Sequence, residues 1–208
     1  MEIDYFVNAF TTLFVTIDPI GLAPIFLAVT AGARSEARRA IAYRACLIAF
    51  GILVTFTLVG NPLLSVLGIS IPAFRIAGGL LLFWTAFEMV FEKRQQRKTE
   101  TAEKAVEEET HADLAVFPLA IPLISGPGSI SAALLLATKA PNWLVLAGLI
   151  GIIAVLISMV LVVFLLASSI HRHITATAQA VLTRLLGVLL AALAVQFVAE
   201  GVKAFGAL

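Results

Sequence analysis

Cysteine, charged side chains and net charge are all scarce in this chain of 208 residues. Cys46 is the single cysteine, so no intrachain disulfide forms, and its apolar surroundings predict that it packs as a small hydrophobe. Charged residues make up 13% of the chain, against about 25% in soluble domains, which excludes an ordinary soluble core. The net charge of +1 argues against nucleic acid as a partner.

Several short motifs are missing as well. The N-terminus, Met1-Glu2-Ile3-Asp4, has no basic region, so a cleavable signal peptide is not expected. A phosphate-binding motif of the Gly-x4-Gly-Lys type is absent, so we expect no ATP-driven activity and predict no cofactor. His171 and His173 form a His-x-His without other nearby metal ligands, so no metal site is predicted.

Long apolar runs are what the chain has in abundance. Hydrophobic residues make up 61% of it, and its mean hydropathy is +1.04. Because about 20 apolar residues cross a hydrocarbon core, six runs predict an all-α membrane protein, with residues 1–208 forming a single transmembrane domain in the lipid bilayer. The six predicted spans are Tyr5–Thr30, Ile41–Gly60, Ile76–Phe91, Leu114–Thr138, Trp143–Ala167 and Leu185–Phe205.

Two non-spanning segments complete this layout. The linker Glu92–Asp113 holds five of the fourteen Lys and Arg residues and seven of the thirteen Asp and Glu residues. That composition predicts a solvated and partly disordered cytoplasmic connector. The apolar stretch Pro62–Phe74, which precedes the short third span, is expected to lie at the membrane interface.

Two proline-bracketed breaks interrupt the first and fourth spans. The first break reads Asp18-Pro19-Ile20-Gly21-Leu22-Ala23-Pro24, and the second break reads Pro122-Leu123-Ile124-Ser125-Gly126-Pro127-Gly128. Each lies near the middle of its span, which predicts that helices one and four are broken at mid-membrane. Backbone groups freed in lipid need protein or a polar cavity around them. Paired breaks of this kind therefore indicate the substrate site of a transporter.

The two halves of the chain also look like one unit used twice. Besides the breaks, Arg75-Ile76-Ala77-Gly78 matches Arg184-Leu185-Leu186-Gly187 at the start of spans three and six. Three spans per copy is an odd number, so the second copy enters the membrane from the opposite side. This predicts two inverted three-helix repeats, at about residues 4–92 and 114–208, joined by the charged linker 92–113.

The chemistry of the breaks predicts a site for a zwitterion. A half-helix N-terminus suits a carboxylate, and a half-helix C-terminus suits an ammonium group. Pro24 and Pro127 are placed where new helices begin, since proline fits a first helical turn. The predicted substrate-binding residues are Thr16, Asp18, Pro19, Gly21, Pro24, Ser125, Gly126, Pro127, Gly128 and Ser129.

Asp18 is the one carboxylate near a span centre, where a charge costs about 2.5–3.5 kcal/mol on insertion scales. It is a candidate to pair with a substrate ammonium or to carry a coupling proton. The alternative is an acid that only caps the backbone freed at Pro19. H⁺ and Na⁺ both stay open as coupling ions.

The distribution of Lys and Arg predicts the orientation. In the six-span arrangement eleven lie on one face and three on the other, which makes the richer face cytoplasmic and both termini periplasmic. An arrangement with segments one and four as re-entrant hairpins gives the same tally. The length of about 25 residues in each segment favours spanning.

The two breaks and the Arg-x-x-Gly repeat resemble the MarC family, over nearly the whole chain. That family typically carries Asn-Pro-x-Gly-x-x-Pro in its first span and Pro-Leu-x-x-Gly-Pro-Gly in its fourth. The resemblance implies a bacterial inner-membrane protein related to small neutral amino acid transporters. Asp18 stands where the family usually has Asn, so proton coupling through this position is not implied as a general mechanism.

The sequence thus predicts a secondary transporter rather than an enzyme. Its small-molecule substrate is expected to be an amino acid such as glycine, alanine or serine, moved by alternating access at a midplane site. A membrane scaffold or channel without such transport is the alternative. An intramembrane enzyme using Ser125 is disfavoured, because no histidine lies within a span to activate the hydroxyl.

Overall fold

A computed structural model describes residues 2–107, 113–167 and 176–206 of the chain. Every regular element in these ranges is helical. Eight α-helices and one irregular helical segment follow each other along the described chain. They are α1 Glu2–Ile17, α2 Pro19–Val29, α3 Ser35–Val66, α4 Ile71–Val90, α5 Lys93–Glu107, the irregular segment Ala115–Ile124, α6 Pro127–Thr138, α7 Trp143–Leu165 and α8 Ala176–Phe205.

Five of the described helical stretches are long and apolar enough to cross a membrane, the first being Ile3–Val29, which contains α1 and α2. A sixth is added if the irregular segment and α6 form one bent span. The all-helical membrane protein predicted from the sequence is thereby confirmed. Helices α3, α4 and α8 begin earlier than the apolar runs suggested, because a helix continues through charged residues that a hydropathy argument leaves out.

The stretch Pro62–Phe74 is divided between two helices, and its place at the membrane interface stays a prediction. Its first residues complete α3, which runs through Pro62, and its last ones begin α4. The chain reverses between them at Gly68, whose φ of +68° is a conformation that glycine adopts without strain. The Ser70 hydroxyl accepts a hydrogen bond from the amide of Ala73 and caps α4.

Helix α6 lies at the centre of the bundle. Nine of its twelve residues are buried, and it contacts α1, α3 and α4. Around it the outer faces of α4, α7 and α8 expose large apolar side chains such as Trp84, Val155 and Leu185, as lipid-facing surfaces require. Helix α6 and the C-terminal end of α1, where the first break lies, therefore pack inside the protein.

The charged linker departs most from the sequence prediction. Residues 93–107 form α5, which packs against α2 and α4, and two of its cations, Arg94 and Lys98, are each only 6% exposed. The predicted solvated, partly disordered connector is therefore wrong for this stretch, because its cations find partners inside the protein. Linker residues 108–112 and the His171-x-His173 pair lie outside the described residues.

Candidate functional site between the two breaks

The first break is a single residue with an unusual backbone. Asp18 adopts φ 59° and ψ 64°, in the left-handed region, and separates α1 from α2. Its Oδ1 accepts a hydrogen bond from the amide of Gly21 at 3.0 Å, so the side chain caps α2. The new helix begins at Pro19, which makes Pro24 an interior residue of α2 and the prediction for Pro24 wrong.

The second break is longer. Segment Ala115–Ile124 winds in wide turns, with extended backbone at Phe117 and Ile121 and cis peptide bonds before Pro118 and Pro122. The axis then bends by 58° into α6, which begins at Pro127 as predicted. The N-cap residue Gly126 brings no side-chain acceptor for the first amides of α6.

One side chain joins the two breaks. The hydroxyl of Ser129, in the first turn of α6, lies 2.9 Å from the carbonyl oxygen of Ile124 and 3.5 Å from that of Thr16. Ser129 is buried, and so is Thr16, the second residue before Asp18. Backbone from both breaks therefore meets at one buried polar point.

Helix α5 supplies donors to carbonyl groups on both sides of the first break. The Arg94 guanidinium donates to the carbonyl oxygen of Val15 at 3.2 Å and also to that of Thr16. The Gln95 amide donates to the carbonyl oxygen of Gly21 at 3.3 Å. The C-terminal end of α1, where partial negative charge accumulates, is thus covered by a cation.

Lys98 of α5 faces the carboxylate of the first break. Its Nζ lies 3.4 Å from Oδ2 of Asp18, and both side chains are buried. Burial lowers the pKa of Lys98 to about 8; the Arg94 charge adds to the lowering, and Asp18 opposes it. Sequence reasoning found the acid but missed its partner, which is 80 residues away along the chain.

A second acid lies behind the same face of α5. Oε1 of Glu88, on α4, is 2.9 Å from Arg97 and accepts a hydrogen bond from the indole of Trp84 at 3.0 Å. Oε2 of Glu88 is buried and has no hydrogen-bond partner among the residues that the structure describes. Glu88 is thus a buried acid, although it lies near the C-terminal end of α4.

A cavity of about 250 Å³ opens between these groups. Its charged lining is cationic, while Asp18 and Glu88 lie behind it, paired with two of the cations. The first turn of α6 points its uncapped end at the same space. The lining residues include Thr16, Thr85, Arg94, Arg97, Lys98, Thr101, Gly126, Pro127, Gly128 and Ser129.

The predicted site residues divide into two groups. Thr16, Gly126, Pro127, Gly128 and Ser129 line the cavity. Those that lie apart from the lining are Asp18, Pro19, Gly21, Pro24 and Ser125.

Among the predicted site residues outside the cavity lining, three make contacts with other parts of the protein. Asp18 touches the cavity residue Lys98, and Gly21 lies beneath the Asp18 carboxylate. The Ser125 hydroxyl donates to the carbonyl oxygen of Ala49 at 3.2 Å, on the side of α3.

The residues missed by sequence reasoning come from α5 and α4. Lys98 lies four residues after Arg94 and three before Thr101, and Arg97 lies three after Arg94 and four before Thr101, which puts the four residues on one face of α5. That spacing is visible in the sequence. Composition alone hides it, because a run rich in charge is typical of a solvated segment.

A larger cavity, of about 520 Å³, lies on the other side of α5. It is lined by residues of α4, α5 and α8, among them Thr99, Gln179 and Thr183, and by Glu92 between α4 and α5. None of its lining residues belongs to either break. We therefore take the smaller cavity as the candidate site.

Fold and site together define a polytopic, all-helical membrane protein with a polar cavity inside its bundle. Comparison with known proteins makes this specific, since the profile of the MarC family integral membrane proteins matches residues 3–205. The chain belongs to the MarC family.

Similar proteins occur in archaea and bacteria. The chain is 34% identical to UPF0056 membrane protein MJ1677 of Methanocaldococcus jannaschii, with 98% of each chain covered. It is 32% identical to UPF0056 membrane protein YvbG of Bacillus subtilis, over 98% of this chain and 96% of the relative. It is 34% identical to UPF0056 membrane protein YhcE of Escherichia coli, over 93% and 90%. No solved structure matches the chain significantly.

Proposed function

We propose that this MarC family protein is a secondary transporter of small neutral amino acids such as glycine, alanine and serine. The observation that carries the proposal is the Ser129 hydroxyl, which lies within hydrogen-bonding distance of carbonyl groups from both breaks, Thr16 and Ile124. A polar meeting point of two interrupted apolar segments is the arrangement expected of a transporter's substrate site.

The size and chemistry of the cavity support a small carboxylate-bearing substrate. Its volume of about 250 Å³ leaves room for a molecule of a few heavy atoms and some water. The uncapped N-terminal end of α6 and the guanidinium of Arg97 both offer positive charge to a carboxylate. The hydroxyl group of Ser129 adds a neutral hydrogen-bonding partner.

The transport mechanism in this proposal is alternating access between two inverted three-helix repeats in the inner membrane, with both termini periplasmic. The breaks in the first and fourth predicted spans would form the shared midplane site, and the two repeats would rock about it. Energy would come from an ion gradient or from the substrate gradient. The asymmetry of the site, with an acid only at the first break, gives the two repeats different roles at the ligand.

Counterflow of labelled glycine, alanine and serine in proteoliposomes tests the proposal. We expect saturable flux from the purified protein and loss of flux in Gly126→Leu, because a side chain there meets the Pro122 carbonyl oxygen. Gly151→Leu is the matched control, since nothing lies within 4 Å of a Cβ added at Gly151. Absence of flux with all three amino acids would favour a scaffold or channel.

A further inference from the structure

The acceptor groups of the first break are already occupied by side chains of α5. Arg94 donates to the carbonyl groups of Val15 and Thr16, and Lys98 lies against the Asp18 carboxylate. These carbonyl and carboxylate oxygens are the ones that an ammonium group would seek. The α5 cations therefore stand where the positive end of a zwitterion would bind.

The other half of the cavity is not filled in this way. Gly126 provides no side-chain cap for α6, and Gly128 exposes backbone directly to the cavity. Here a carboxylate finds the amides of a helix N-terminus, and the guanidinium of Arg97, which already pairs with Glu88, is a further lining cation. The end of α6 is thus open to a carboxylate, whereas the acceptor groups of the first break are taken.

We propose that Lys98 occupies the ammonium subsite as a tethered substitute for the substrate's own ammonium group. Helix α5 then acts as a gate, which must withdraw from the first break before an amino acid is bound at both ends. Lys98 becomes a residue that sets the affinity for ammonium-bearing substrates. This inference rests on the transport function proposed above.

The contacts of α5 suit a displaceable element. The Nζ–Oδ2 distance of 3.4 Å between Lys98 and Asp18 is longer than the distance of about 2.7–2.9 Å in strong charge-assisted hydrogen bonds. The neighbouring residues Gln96 and Glu100 are exposed, so one side of α5 already faces outward. Withdrawal would return the buried cations to water and leave Asp18 to the incoming ammonium.

A competing account makes Lys98 a direct ligand of the substrate carboxylate. The two accounts predict opposite signs for Lys98→Gln. If Lys98 competes with the ammonium, its removal strengthens the binding of glycine. If Lys98 holds the carboxylate, its removal weakens the binding.

Equilibrium binding of labelled glycine to the purified full-length protein measures this sign. We expect Lys98→Gln to bind glycine at least about threefold more tightly than wild type, because more molecules present an open ammonium subsite. Glycolate, which has a carboxylate and no ammonium, should not gain affinity. Lys93→Gln, at an exposed position of the same helix, is the matched control and should match wild type. Weaker or unchanged glycine binding by Lys98→Gln overturns the inference.

Thiol labelling provides a readout that keeps the Lys98–Asp18 pair intact. In a Cys46→Ala background, Gln95→Cys places a thiol at the half-buried contact with Gly21, and Gln96→Cys places one on the exposed side. Saturating glycine should raise the labelling rate of Gln95→Cys by a membrane-impermeant reagent at least about threefold, as α5 opens. The rate for Gln96→Cys should stay constant. Equal rates with and without glycine at Gln95→Cys contradict a gate.

The two proposals fail in different ways. A wild-type protein that neither binds nor exchanges glycine, alanine or serine refutes the transport function and the gate together. Saturable glycine counterflow by wild type, combined with unchanged or weaker binding in Lys98→Gln, refutes the gate alone.

Discussion

The two breaks share a spacing of prolines around glycine, yet they resolve the same backbone problem differently. At the first break one left-handed residue, Asp18, separates two helices, and its surroundings are charged. At the second break ten residues, Ala115–Ile124, wind in wide turns before a 58° bend, and none of them is charged. At the first break, Arg94 of α5 donates a hydrogen bond to a backbone carbonyl group. At the second break, the donor is Ser129, in the helix that directly follows the break.

This difference shows how sequence context decides the role of a broken helix. Carbonyl groups left open at the end of α1 attract cations, and Asp18 strengthens that attraction. The second break instead presents the N-terminal end of α6, which suits an anion. One pattern used twice thus gives a site with a negative half and a positive half.

The largest effect expected concerns charge at the first break. Asp18→Ala leaves the Lys98 cation buried without its partner and removes the α2 cap, which should cost about 3–5 kcal/mol of unfolding free energy in detergent. Ile121→Ala, at the matching position of the second break, should cost clearly less, because Ile121 is 43% exposed and uncharged. Asp18→Ala combined with Lys98→Ala should recover part of the loss. Equal losses at Asp18 and Ile121 would contradict the asymmetry.

Substitution of Gly21 or Gly126 by alanine tests which atoms pack against each break. A Cβ at Gly126 would lie 2.6 Å from the Pro122 carbonyl oxygen, and one at Gly21 would lie 2.2 Å from Oδ2 of Asp18. We expect Gly126→Ala to lower the unfolding free energy by roughly 1–3 kcal/mol, whether or not Asp18 is also substituted. The obstructing Pro122 carbonyl belongs to the backbone and cannot rotate away as a side chain can. The cost of Gly21→Ala should vanish when Asp18 is also alanine.

Denaturant unfolding in detergent measures these glycine effects, with Gly151→Ala as the control. Within the described part of the chain, no side chain or neighbouring helix lies within 4 Å of a Cβ added at Gly151. A loss in Gly126→Ala no larger than that in Gly151→Ala would show that the second break is not tightly packed.

Substitution inside the cavity should change affinity more than stability. A Cβ at Gly128 would lie 3.0 Å from Oγ1 of Thr85, so Gly128→Ala narrows the space between them and should weaken glycine counterflow roughly tenfold in KM. Thr85→Ala removes that obstacle, and the double variant should regain most of the affinity. Absence of rescue would place the substrate outside this cavity.

The smallest expected effect is on the pH dependence of glycine binding. The pKa of Lys98 lies near 8, below the ordinary lysine value, so Lys98 is charged below that pH and neutral above it. Asp18, Arg94 and Arg97 are the charged groups that face it. As pH rises from 7 to 9 the competing cation disappears, and glycine should bind roughly threefold more tightly in wild type. The same change of pH should leave Lys98→Gln unaffected; a shared response would assign the titration to another group.

Sequence reasoning reached the membrane class because long apolar runs have one physical meaning. It also identified the residues where both interruptions occur, since proline and glycine act locally on the backbone. The prediction that a helix begins at Pro127 is correct for α6. The prediction that a helix begins at Pro24 is wrong, because Asp18 caps α2 and this helix already begins at Pro19.

The α5 contacts lay beyond such reasoning. Composition alone marks Lys93–Glu107 as solvated, and only the tertiary arrangement brings Lys98 against an acid 80 residues away. Burial of a cation depends on its partner, and partners distant in sequence leave no local signal. The three- and four-residue spacing of Arg94, Lys98 and Thr101 was the one available hint of a buried face.

The central claim, that the two breaks form one shared amino acid site, is tested most directly by an experimental structure of the protein with saturating glycine. The account predicts ligand density in the cavity that Thr16 and Ser129 line, with the carboxylate at the first turn of α6, the ammonium toward Asp18, and Lys98 displaced. Glycine density elsewhere in the bundle, or an unaltered Lys98–Asp18 contact beside an empty cavity, would contradict it.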